Sequence, residues 1–228
     1  MEKSKILPSG TTDIKDFFSR DNRELTKAAS QLVPNIVDHT DRMGRTYDVY
    51  SRLFKERIII FTDEINTVTA SVLIAQILAL EADDNTRHIC IYINSGGGSV
   101  YDAFMILDTM YCVKSPIEVY GFGMVASAAT LILVCGSKGK RYLLPRTRVL
   151  IHQPMGGSRG QASDMEIAVK EILFIKEEIV NIYLTRTLMD EEEIRKQIDR
   201  DTYLSAESAL QKGFIDHILP GNFDRSKK

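Results

Sequence analysis

The sequence predicts an α/β domain built on a largely parallel sheet. Short β-branched runs of buried-strand length alternate with stretches whose apolar residues recur at helical spacing. The 228 residues, 44% of them apolar, suffice for one core of the larger α/β kind.

Residues 1–30 are polar and mixed in charge, and carry Pro8 and Gly10. They read as a flexible or weakly helical extension, with a short helix over Ile14–Phe18 as the alternative. The periodic part begins near Leu32. Arg57–Phe61 reads as a buried strand. Asn66 or Thr67 then caps a helix in which Val68, Val72, Ala75, Leu78 and Ala79 fall at helical spacing, ended by Asp83-Asp84-Asn85. A strand over His88–Ile93 leads into the loop Asn94-Ser95-Gly96-Gly97-Gly98. The next helix, Val100–Tyr111, carries Ala103, Ile106, Leu107 and Met110 on one side. Pro116 introduces a strand over Ile117–Tyr120, and the loop Gly121-Phe122-Gly123 opens a helix from Ser127 to Val134. Tyr142–Leu144 and Arg148–Ile151 read as two further short strands.

A long helix follows, from about Ala162 to Thr187. Met165, Ala168, Ile172, Ile175 and Ile179 form one apolar stripe, and Ile167, Phe174, Val180 and Leu184 lie off it. A helix apolar on several sides needs several packing partners. The charged Lys170, Glu171, Lys176, Glu177 and Glu178 within it favour a contact with a neighbouring subunit over burial in one core.

Composition excludes several classes. A net charge of −2 lacks the basic surplus of a nucleic-acid binder. Three Cys, none in CxxC pairs, form neither a disulfide framework nor a structural zinc site and point to a reducing compartment. The longest apolar-rich stretch, Val125–Cys135, is too short to span a membrane. No signal-peptide core or transit-peptide composition is seen near the start, so a cytoplasmic protein is expected.

Three places bear chemistry. Small residues around Ser127, after a Gly-rich turn and at a helix start, leave its hydroxyl accessible, although an N-cap serine is the commoner meaning of such a position and the GxSxG elbow is absent. Gly96-Gly97-Gly98 lets backbone N–H groups approach a bound group, as a phosphate cradle or an oxyanion hole; neither a P-loop nor a GxGxxG pattern is present. His152 ends an apolar strand and has no metal-ligand partner at i+2 to i+4. This is a nucleophile and a base without their orienting acid, since 31 carboxylates cannot be ranked by composition.

Several segments, in order, strongly resemble the proteolytic subunits of the Clp protease: Tyr50–Ile59, Ile91-Tyr92-Ile93-Asn94-Ser95, Gly139–Pro145, Ile151–Gly157 and Gly160–Ile167. The resemblance covers about Leu32 to Pro220. It implies a crotonase-like α/β spiral of β-β-α units with a protruding handle helix. The domain organisation it suggests is a 1–31 extension, a 32–220 peptidase domain with the handle at about 153–187, and a 221–228 tail. It implies a catalytic triad of Ser127, His152 and Asp201, at the family's spacings, with oxyanion donors on the backbone of Gly98 and Ala128. It further implies seven-membered rings stacked in pairs, with Arg200 and Gln161 at the inter-ring contact. Unfolded polypeptides would be delivered by a AAA+ unfoldase of the Clp type, which docks in a groove of Leu53, Leu78, Cys90, Tyr92, Cys112 and Tyr142. ATP would belong to that partner, and the chain itself would need no cofactor and no metal.

The sequence departs from the family pattern at several of these places. Gly96 replaces a proline, which loosens the loop. Val125 and Ala128 stand where Gln and Met are usual, so the S1 pocket is altered. Cys90 and Cys112 stand where aromatics are common, which thins the groove. Such a divergent paralogue is either an active peptidase or a weakly active or regulatory isoform that needs a second isoform in a mixed barrel. A crotonase-type acyl-CoA enzyme would share the fold but has no use for a Ser/His/Asp set.

Overall fold

The computed structural model describes residues 34–37 and 46–220. The suggested helix at Ile14–Phe18, the 1–31 extension and the 221–228 tail lie outside them. The described residues fall into two compact units, one ending at Lys55 and the other beginning at Glu56.

The first unit holds an antiparallel pair, β1 (Asn35–Val37) and β2 (Thr46–Asp48), and the short helix α1 (Val49–Lys55). None of these was assigned from the sequence. The second unit contains β3 (Ile58–Phe61), α2 (Thr67–Asp83), β4 (Ile89–Ser95), α3 (Val100–Cys112), β5 (Ile117–Ala126), α4 (Ala128–Cys135), β6 (Arg141–Leu143), β7 (Arg148–Ile151), α5 (Ala162–Arg186), α6 (Glu191–Ile198), β8 (Thr202–Leu204), α7 (Ala206–Gln211) and β9 (His217–Ile218). Strands β3-β4-β5-β6-β9 run in that order and are all parallel.

Strand β5 forks the sheet. Its first half pairs with β6, through Val119↔Arg141 and Gly121↔Leu143. Its second half pairs with β7, through Met124↔Arg148 and Ala126↔Leu150. Strand β8 then pairs antiparallel to β7. Gly121-Phe122-Gly123, expected as a loop, lies inside β5. Its pairing to β4 jumps from Ile93↔Gly121 to Ser95↔Val125, so the glycines form a bulge rather than a turn. Gly123 takes a φ of 66°, and a Cβ there would stand 2.8 Å from Asn94 Oδ1. Asn94 in turn accepts from Met124 N at 3.0 Å, and both Asn94 and Ser95 are strand rather than loop.

Two other expectations are corrected. Strand β3 begins at Ile58, because Arg57 has a φ of 64° and is 2% exposed. Its guanidinium donates to Leu80 O at 2.8 Å and His88 O at 2.9 Å, so it caps the end of α2 instead of extending the strand. Helix α2 also turns its Val68, Val72, Ala75, Leu78 and Ala79 stripe outward and buries Ala70, Leu73, Ile77 and Leu80 instead. Asn66 caps it through bonds from Val68 N and Thr69 N.

Every residue of α4 is buried, so this helix is the centre of the core. Helix α5 is different. Ile175, Ile179, Val180 and Tyr183 are buried, all in its C-terminal half. The stripe read from sequence is therefore covered progressively, from exposed Met165 through half-buried Ala168 and Ile172 to buried Ile175 and Ile179, whereas Ile167, Val169, Leu173 and Phe174 beside it are exposed. The C-terminal end of α5 is fixed by Arg141, which donates to Arg186 O at 2.7 Å and grips Asp216 through two nitrogens at 2.9 and 2.7 Å. Among the described residues no helix is long and apolar enough to cross a membrane.

Candidate active site

Strand register brings the site together. Ser127 follows the β5 residue Ala126, which pairs with Leu150 of β7, and Ser127 N donates to Leu150 O at 2.8 Å. His152 follows the last residue of β7. That residue, Ile151, pairs with Thr202 of β8, and Asp201 directly precedes Thr202. The ends of β5 and β7 and the start of the antiparallel β8 therefore bring Ser127, His152 and Asp201 side by side.

The distances match that layout. His152 Nε2 lies 2.7 Å from Ser127 Oγ. His152 Nδ1 lies 3.4 Å from Asp201 Oδ1. The His152 side chain is 13% exposed and the Asp201 side chain 62% exposed. The base is thus shielded while the acid is open to solvent. The Asp201 loop is tied to the histidine's strand by Gln153, whose N donates to Ile198 O at 2.6 Å and whose Nε2 donates to Asp199 O at 2.9 Å. Lys176 of α5 donates to Gln153 Oε1 at 3.0 Å.

Ser127 itself is strained. Its φ of 54° and ψ of −129° make it one of two described non-glycine residues with positive φ. Such a conformation costs on the order of 1–3 kcal/mol and persists only when its surroundings impose it. It opens α4 as N-cap, yet its side chain makes no capping bond. The hydroxyl is left to His152.

The glycine loop packs directly against this residue. A Cβ on Gly97 would stand 2.7 Å from Ser127 Cβ, and one on Gly98 only 2.1 Å from Ile65 O. Ile65 N donates to Gly97 O and Ser99 N donates to Ile65 O, so Ile65 pairs with both neighbours of Gly98. In a parallel ladder the residue between those partners turns its own N–H to the other side. Ala128, first in its helix, has an N–H without an intrahelical acceptor. An open cleft of about 710 Å³, lined by Ser127, His152, Gly97, Gly98, Asn94 and Met155 among others, runs past these groups. Among the described residues no three His, Cys, Asp or Glu side chains are grouped to hold a metal ion.

The other named residues lie away from the triad. Gln161 is the exposed N-cap of α5. The Arg200 side chain is 90% exposed and lies 3.8 Å from Asp199 Oδ2. Leu53 stands on α1 in the first unit, Leu78 is exposed on α2, and Cys112 is exposed at the end of α3. Tyr92 and Tyr142 flank a residue that sequence reading passed over, Tyr120. Register pairs Tyr92↔Tyr120↔Tyr142↔His217, and the rings stack at 4.7, 4.6 and 5.3 Å between centroids. The sheet thus carries an aromatic ladder even with Cys90 beside it. Burial, with Glu118 nearby, pushes the Cys90 thiol up to about 11, so it stays protonated.

Compared with known families, residues 18–222 match the family model described as Clp protease.

Proposed function

The chain belongs to the Clp protease family, and we propose that it is the serine endopeptidase subunit of a barrel-shaped Clp protease. Membership makes it a peptidase of a family that self-assembles and works with Clp ATPases. The observation that carries the finer reading is the 2.7 Å contact between His152 Nε2 and Ser127 Oγ, on a serine held in a strained conformation.

In this reading His152 takes the Ser127 proton as Oγ attacks a peptide carbonyl. Asp201 keeps the proton of His152 on Nδ1 and stabilises the imidazolium. The backbone N–H groups of Gly98 and Ala128 receive the developing oxyanion. His152 returns the proton to the leaving amine, and a water then hydrolyses the acyl-enzyme by the same steps in reverse. The exposed apolar face of α5, with Gln161 and Arg200, supports seven-membered rings stacked in pairs. The tyrosine ladder supports docking of a AAA+ unfoldase of the Clp type, which spends the ATP and feeds in unfolded polypeptide. The chain needs no cofactor of its own and works in the cytoplasm.

The open Asp201 favours a second reading, a weakly active or regulatory isoform completed by a second isoform in a mixed barrel. Peptide and unfolded-protein hydrolysis by the purified chain, alone and with a Clp ATPase and ATP, tests both. Activity lost in Ser127→Ala is expected. Brisk hydrolysis by double rings of this chain alone would dismiss the mixed-barrel reading, and no hydrolysis in any assembly would dismiss the first.

A further inference from the structure

The carbonyl of Ser127 is held from behind by a buried hydroxyl pair. Thr130 donates to Ser127 O twice, from Oγ1 at 2.6 Å and from its backbone N at 2.9 Å. Thr130 Oγ1 also lies 2.5 Å from the Tyr183 hydroxyl. Each hydroxyl owns one proton. That of Thr130 goes to Ser127 O, so Tyr183 must donate to Thr130. The result is a directed chain from Tyr183 of α5, through Thr130 of α4, to the main chain of the nucleophile. Thr130 is 0% exposed and Tyr183 is 2% exposed, so solvent does not compete for these bonds. Burial raises the Tyr183 phenol, which keeps it a donor.

A threonine in a helix often bonds back to a carbonyl one turn earlier, and that habit alone would explain Thr130. It does not explain a buried tyrosine from a second helix whose hydroxyl meets that of Thr130. Nor does it explain why the carbonyl belongs to the strained residue. The peptide unit supplies the reason. In a trans peptide the N–H points opposite to the C=O. Fixing Ser127 O therefore fixes the direction of Ala128 N–H.

We infer that Thr130 and Tyr183 are positioning residues that clamp the Ser127–Ala128 peptide and so keep the Ala128 N–H aimed at the oxyanion. This rests on the peptidase reading above. It also makes the buried end of α5 a strut of the active site, distinct from its exposed apolar end.

The test uses the full chain with Thr130→Val, Thr130→Ser and Tyr183→Phe. Peptide kinetics are measured together with the affinity for a peptide boronate, which forms a tetrahedral adduct at the serine. Removing an oxyanion donor outright costs about 100- to 1000-fold in kcat, which sets the ceiling. Thr130→Val should lower kcat by roughly 10- to 100-fold with KM little changed, and weaken the boronate by a similar factor. Thr130→Ser should recover to within about 3-fold of wild type, because its hydroxyl remains. Tyr183→Phe should fall between, since Thr130 still donates. A folded Thr130→Val with wild-type kcat and boronate affinity overturns the inference, as does Thr130→Ser no better than Thr130→Val. Should Thr130→Val fail to fold, an unchanged boronate affinity in folded Tyr183→Phe overturns it. A wild type that neither cleaves the peptide nor takes the boronate overturns the peptidase reading and this inference together.

Discussion

His152 Nδ1 and Asp201 Oδ1 stand 3.4 Å apart, longer than the 2.7–2.9 Å of a close charge-assisted hydrogen bond. The histidine is shielded and its acid is 62% exposed in the single chain. Asp201→Asn should cost at least about 100-fold in kcat once the protein is assembled, because the tautomer of His152 is no longer fixed. Steady-state kinetics on a peptide check this. A loss under about 3-fold would mean that Asp201 does not orient His152.

The glycine loop separates two kinds of glycine. Gly98 has a φ of 143° and no room for a side chain, since its Cβ would meet Ile65 O. Gly98→Ala should destabilise the fold by at least about 2 kcal/mol. Gly96 has nothing within 4 Å of its Cβ position. Gly96→Ala should stay within about 1 kcal/mol of wild type in either direction. Thermal denaturation of the two variants, side by side, gives the comparison.

Ile167 and Phe174 of α5 are 65% and 56% exposed in one chain. Such apolar residues, with Met165, Val169 and Leu173 beside them, call for a partner surface. Phe174→Asp with Ile167→Asp should leave the subunit folded and lower the mass of the assembly. Native mass spectrometry reads the oligomer, and circular dichroism the fold. An unchanged oligomer would remove this face from assembly.

Asp216 predicts an acid limb in stability. Burial alone would raise its carboxyl, but the bidentate bond from Arg141 outweighs it and holds the group below its ordinary 3.8. A depressed folded value contributes stability that is present above the unfolded value and lost as pH falls through the folded one. Asp216→Asn should therefore lower stability by about 2 kcal/mol or more at pH 7 and flatten its fall below pH 4. Denaturant titrations from pH 7 to pH 3 measure both effects. A variant whose stability falls in parallel with wild type would contradict the assignment.

Much of the fold was legible, for identifiable reasons. Helix α3 buries the four residues its spacing nominated, Ala103, Ile106, Leu107 and Met110. Helix α2 was readable as a helix but not in its orientation, because apolar residues surround it and only its neighbours in the fold, α3 and β3, decide which stripe is covered. Gly121-Phe122-Gly123 looked like a turn because local preference favours one. The ladders on both sides of β5 overrode that preference and made a bulge. In the site, Ser127 and His152 were nominated from residues alone. Asp201 was not, because what selects it among the carboxylates is the antiparallel register of β8 on β7. Thr130 did leave a signal, a lone hydroxyl in an apolar helix three residues after Ser127. Its partner Tyr183 is 53 residues further on and no local pattern joins them.

Reaction of the assembled protein with a fluorophosphonate, read by intact and peptide mass spectrometry, tests the Ser127–His152 assignment most directly. One adduct per chain is expected on Ser127, absent in Ser127→Ala and strongly slowed in His152→Ala. Labelling elsewhere, or labelling that persists unchanged in His152→Ala, would contradict it.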